Sequence, residues 1–115
     1  MDLSALQVAG ILSMFAAVGH GFLGDRTIAA MDIEPVHTQH FIRSCYQFGS
    51  AGWLAAGVLL LASGDLSSDG QRWVAIATVP LFAFGAVVNF WFTKGRHGGW
   101  VMLTAIAGLT VVGVA

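Results

Sequence analysis

Charge is scarce in this sequence. Five Lys or Arg and six Asp or Glu occur among 115 residues, 10% of the chain, whereas 57% is hydrophobic. A soluble domain carries roughly 25% charged residues, so there are too few here to coat a globule. That excludes a soluble enzyme and a disordered tail. Cysteine is nearly absent as well: the single Cys45 lies in an apolar run, which rules out an intramolecular disulfide, a secreted disulfide scaffold and a multi-cysteine metal cage. The net charge of −1 comes with no basic stripe, so nucleic acid is not an expected partner. There is no Gly-rich phosphate cradle and no His-Glu-x-x-His run, and Ser44 and Ser50 have no recognisable acid-base company. The residues supply no catalytic constellation.

The chain is dominated instead by four apolar stretches, most of them as long as a bilayer is thick. The first runs from Leu3 to Leu23, broken only by Ser4, Gln7, Ser13 and His20. It opens Met-Asp and lacks the positive start and short core of a signal peptide, so it reads as a retained span. Residues 24–39 turn polar, and Pro35 suits the first turn of a new helix, where its missing N–H is not needed. A second apolar body follows from Phe41 to Ala62, with Arg43 near its start. Ser63 to Gly70 combines turn formers with small polar residues and reads as a short exposed connection. The third stretch, Trp73 to Phe92, contains Pro80, which is expected to kink it. Thr93 to Gly99 is a tight basic turn.

The last stretch, Trp100 to Ala115, has 16 residues and ends at the membrane surface. It reaches roughly 24 Å, so crossing a core of about 30 Å requires a start at or before His97. The spacing thus predicts spans near 3–23, 40–62, 73–92 and 98–115 in one domain, 1–115. Short loops leave neighbouring helices to pack together, so the fold class is an all-α, integral membrane, antiparallel four-helix bundle, up-down-up-down. Small residues recur at Ala9, Ser13, Ala17 and Gly21 and again at Gly52 and Ala56, as packing seams between membrane helices require.

Basic residues set the expected orientation. Arg26, Lys94 and Arg96 lie in the connections after the first and third stretches, with Arg43 just inside, and only Arg72 lies on the opposite side. This asymmetry is expected to place those loops in the cytoplasm and both termini outside, in the cytoplasmic (inner) membrane where the source is a bacterium. Trp73, Trp91 and Trp100 fall at span ends, where indole rings favour the headgroup layer.

Polar side chains gather at the same end. His20 closes the first span; His37, His40, Arg43, Tyr46 and Gln47 open the second; Asn89 is near the end of the third; Arg96 and His97 open the fourth. His40, Arg43 and Gln47, at i, i+3 and i+7, share a helix face. An Arg inside a span must reach the surface or find a partner, and Asp25 is the partner at matching depth. Asn89 is placed to orient His20 or Arg43. Histidine is the commonest side-chain ligand of zinc, copper and iron. His37 with His40, completed by His20 or His97, would make a metal set, and His20 with His40 or His97 an axial pair for haem or a chlorophyll-type pigment. Interfacial hydrogen bonding by the same histidines is the competing reading.

The run His20-Gly21-Phe22-Leu23-Gly24-Asp25-Arg26, followed by Arg43 and by Arg96-His97-Gly98-Gly99-Trp100, resembles a group of small bacterial four-span proteins with a His-Ser-x-Leu-Gly-Glu-Arg type motif after their first helix. Members tend to carry Trp-His where this chain has Tyr46-Gln47. The resemblance implies that His20, Asp25, Arg26, Arg43 and His97 form one site, and implies no activity. The expected function is a non-catalytic accessory or assembly subunit of a membrane complex, with lipid and other membrane subunits as partners. A protein binding haem, pigment or a transition metal through His20, His40 and His97 is the alternative. A minimal transporter ranks last, because such proteins need a charge near the bilayer midplane.

Overall fold

The computed structural model describes residues 2–115 and is helical, with no strand among the described residues. Four helices follow in order: α1 (Ala5–Ala29), α2 (Val36–Ala62), α3 (Ser68–Thr93) and α4 (Gly99–Val114), with a 3-10 turn at Ser63–Asp65. α1 packs along α2 over much of its length, α3 packs along α4, and α1 also meets α4, whereas α2 and α3 touch sparsely.

α1 starts at a reciprocal cap: Gln7 N–H donates to Ser4 Oγ at 3.2 Å and Ser4 N–H donates to Gln7 Oε1 at 3.0 Å. Between Leu6 and Ile28 its buried residues are all small, and Gly10, Ser13, Ala17, Gly21 and Gly24 among them recur every three or four positions. Backbones can therefore approach closely. A Cβ on Gly10 would lie 2.6 Å from the Gly57 carbonyl oxygen, and one on Gly57 would lie 2.8 Å from that of Gly10. Ser13 Oγ donates to the Trp53 carbonyl at 2.7 Å across the same seam.

The helix ends differ from the hydropathy boundaries wherever a polar group satisfies the backbone. α1 continues past Leu23 to Ala29, because Gln39 Nε2 donates to the carbonyls of Ile28 (3.1 Å) and Met31 (2.9 Å) at its end. Pro35 occupies the capping position of α2, one residue before the expected first turn. The expected exposed connection from Ser63 to Gly70 is shorter and partly buried. Ser63 is fully buried, its Oγ donating to Leu60 at 2.7 Å and its carbonyl accepting from Gln71 Nε2 at 3.1 Å. α3 then begins at Ser68, with Ser67 Oγ accepting from Gly70 N–H, and runs through Pro80 without a break in helical assignment. α4 begins at Gly99, not at or before His97, and its 16 residues make it the shortest of the four.

Three helices are long and apolar enough to cross a membrane, and α4 is apolar but shorter. Leu6, Leu60, Phe82, Leu103 and Ile106, with Ala9, Ala56 and Ala86, form the buried core. At one end of the bundle Leu6 lies against Gly113. Around the core the surface is apolar, with Phe48 82%, Phe92 80% and Trp91 76% exposed.

Candidate functional site: a histidine-lined cavity beside an ion pair

At the opposite end from Leu6 the helices border a half-open cavity of about 440 Å³, lined by His20, Tyr46, Trp53, Asn89 and the exposed His97 and by Phe15, Leu23, Met102 and Leu103. Glycine creates its polar wall. Gly24 is buried, and a Cβ there would overlap the Tyr46 ring. Without that Cβ, Tyr46 lies flat on His20, with centroids 3.8 Å apart and planes 5° apart. Trp53 approaches the same imidazole at 4.5 Å, tilted by 57°. His20 Nδ1 is 2.6 Å from Ser50 Oγ, and Ser50 Oγ in turn stands 3.4 Å from the Tyr46 carbonyl oxygen.

Asn89 does not orient His20 or Arg43, as its position in the sequence suggested. Its Oδ1 accepts from Trp100 N–H at 3.1 Å and its Nδ2 donates to His97 Nδ1 at 3.4 Å. His97 Nδ1 also accepts from Gly99 N–H at 3.0 Å. Asn89 and His97 together cap the first turn of α4, which is why that helix starts no earlier. Trp100 completes the turn, donating from Nε1 to the Gly95 carbonyl at 3.1 Å.

These bonds fix which nitrogen of the His97 ring accepts. With two N–H groups pointing at His97 Nδ1, the neutral ring carries its proton on Nε2 and is a hydrogen-bond donor there. Ser50 Oγ stands within reach of both His20 Nδ1 and the Tyr46 carbonyl, so its hydroxyl hydrogen can go to either and His20 is compatible with either neutral tautomer.

A second polar group lies on another face. Arg43 and Asp25 form a two-pronged pair, Nε to Oδ1 at 2.8 Å and Nη2 to Oδ2 at 2.9 Å, with side chains 36% and 34% exposed. Gln47 Nε2 donates to the Gly21 carbonyl at 2.9 Å, and a shallow groove joins these residues to His40 and Ser44. Arg26 lies over the Phe22 ring at 5.7 Å, and Arg96 and His37 are exposed.

The residues expected to form one cluster thus fall into two. His20, Tyr46, Asn89 and His97 share the cavity, while Asp25, Arg43, Gln47 and His40 share the groove. His40 therefore does not line the cavity with His20 and His97, and among the described residues no three His, Cys, Asp or Glu side chains gather as a metal site. Ser50, Trp53, Gly24 and Gln39 were not among the residues expected to build this end of the bundle. Tyr46, Ser50 and Trp53 stand at i, i+4 and i+7, a helix face that would have drawn the first two together.

Comparison with known protein families, with functionally characterised proteins and with solved structures finds no match to this chain.

Proposed function

We propose that this chain is an integral membrane protein, an antiparallel up-down-up-down bundle, acting as a non-catalytic accessory or assembly subunit of a membrane complex. The observation that carries the bilayer reading is the apolar surface. Soluble monomers rarely expose contiguous apolar patches beyond a few hundred Å², yet Phe15, Phe48, Phe84, Trp91 and Phe92 are each more than 70% exposed here. The bundle is 50 Å long between its extreme Cα atoms, enough for a bilayer with its headgroups, roughly 40–45 Å. The basic residues of the connections, Arg26, Lys94 and Arg96, support a cytoplasmic His97 end with both termini outside. The likeness of His20 to Arg26 to the small bacterial four-span proteins belongs to this reading.

The subunit role is tested by native gel electrophoresis after mild detergent extraction from the source membrane. Migration with a larger assembly, lost when the exposed face is altered by Phe48→Ser and Phe84→Ser, supports it. A monomer at every detergent concentration argues against it.

The second reading, a bound haem, pigment or metal, is favoured by one observation: His20 and His97 line a common cavity. The ring nitrogens do not fit coordination by both. A metal ligand needs a lone pair, and His97 Nδ1 is occupied by Gly99 N–H while Nε2 holds the proton. An absorption spectrum of the gently purified protein separates the two readings, since a tetrapyrrole gives intense visible bands and a subunit without one does not.

A further inference from the structure

We propose that the furrow between α1 and α2 that ends at Arg26 seats one anionic phospholipid, with an acyl chain along the furrow and the phosphate at the Arg26 guanidinium. The inference rests on the bilayer reading and goes beyond the subunit role. The furrow holds about 500 Å³ and shares no residue with the His20 cavity. Small buried residues, Ala17, Gly21 and Ser50, form its floor, and Val18 and Phe22 of α1 face Ala51 and Leu54 of α2 across it. From Ala17 to Arg26 it follows α1 for roughly 13 Å. All its charge is at one end, where Asp25 and Arg26 meet Gln47. A lipid lying along the helices has the same layout, apolar over most of its length and charged at the tip. The charge at the mouth is positive. Asp25 is spent on Arg43 in the two-pronged pair, and among the described residues no carboxylate pairs with Arg26. Phe22 holds the unpaired charge in place, since the Arg26 guanidinium lies over its ring at 5.7 Å. A guanidinium held by its face keeps its N–H edge for the oxygens of a phosphate, which it matches in geometry. A second copy of the chain docked furrow to furrow would instead bring two Arg26 side chains to one depth, where like charges repel.

Charge and shape can be tested apart. Native mass spectrometry of the full chain from non-ionic detergent micelles containing equimolar dioleoyl phosphatidylglycerol and dioleoyl phosphatidylcholine reads which lipid stays bound, and the two differ only in the head. One phosphatidylglycerol per protein is expected, favoured about fivefold over phosphatidylcholine, the ~1 kcal/mol that one cation contributes beside anionic lipid. Arg26→Gln should erase that preference and Arg26→Lys should keep it. Arg72→Gln, which removes a cation outside the furrow, should change nothing. Ala51 is exposed and lines the furrow, so Ala51→Phe fills it without disturbing the core and should abolish retention of the lipid, whereas Ala83→Phe, at an exposed position of α3, should not. Circular dichroism confirms that each variant keeps its helices. Equal retention of the two lipids, a preference that survives Arg26→Gln, or retention unchanged by Ala51→Phe overturns the proposal. So does displacement of the lipid by millimolar inorganic phosphate, which marks a phosphate site alone, and so does a lipid-free dimer that Ala51→Phe dissociates, which gives the furrow to a second copy. Resistance of the protein in phosphatidylcholine vesicles to an alkaline wash tests the bilayer reading separately. Release by the wash removes that reading and the proposal together, while wash-resistant protein without the lipid preference removes the proposal alone.

Discussion

Adding one methyl group to α1 should have opposite effects at two glycines nine positions apart. In a helix, Ala is favoured over Gly by about 0.5–1 kcal/mol. At Gly19 the new Cβ meets nothing within 4 Å, so Gly19→Ala should gain about that amount. At Gly10 the same methyl would stand 2.6 Å from the Gly57 carbonyl oxygen and 2.7 Å from the Leu61 nitrogen. Both are backbone atoms that no rotamer change can move, so α1 and α2 must separate. Overpacking of this kind costs about 1–3 kcal/mol. The propensity gain is common to both variants and cancels, so the stability difference between them is the overpacking cost itself, ~1–3 kcal/mol. It can be read from reversible SDS unfolding in mixed micelles, followed by helical circular dichroism. Gly57→Ala should behave like Gly10→Ala, and the double variant should lose less than the sum, since helices already separated tolerate the second methyl. Equal stabilities for Gly10→Ala and Gly19→Ala would refute the close α1–α2 seam.

Other consequences are equally open to measurement. Gly24→Ala should expel Tyr46 from its seat and destabilise by about 1–3 kcal/mol, and loss of the Tyr46 ring-current shift on His20 by NMR would report the expulsion. Asn89→Leu should remove the cap on Trp100 N–H and lower stability by roughly 0.5–2 kcal/mol, with faster hydrogen exchange at the start of α4. Asp25→Asn and Arg43→Gln should each lower thermal stability, and together by less than the sum. Strict additivity would mean that the two side chains do not interact in solution. The effect should be modest and smaller in high salt, because both side chains are about one-third exposed.

Much of the helical architecture was legible because apolar length is a collective signal. Each of the four stretches has enough Leu, Val, Ala and Phe for single interruptions such as His20, Arg43 or Asn89 not to matter. The ends were less legible, since they depend on individual hydrogen bonds between residues distant in sequence. Gln39 prolongs α1, Ser63 buries a turn that reads as exposed, and Asn89 with His97 sets where α4 begins. The polar end shows the same division. Composition by depth drew its residues to one end, but the partition into a cavity and a groove depends on the azimuth of each helix. That azimuth is set by the Gly24–Tyr46 and Gly10–Gly57 contacts. His20 and Ser50 are 30 positions apart, and nothing local links them.

In the proposed arrangement all four helices cross a bilayer with the histidine-rich end in the cytoplasm, and the 16-residue α4, starting only at Gly99, does so where the bilayer thins to meet a short span. Reporter fusions placed after Ile33, Leu66, Gly95 and Ala115, each scored for cytoplasmic or external activity in membranes of living cells, test it most directly. The predicted result is strict alternation, with the Ile33 and Gly95 fusions cytoplasmic and the Leu66 and Ala115 fusions external. A fusion at Ala115 on the same side as that at Gly95 would show that α4 does not cross, and activity of all four on one side would contradict the membrane reading altogether.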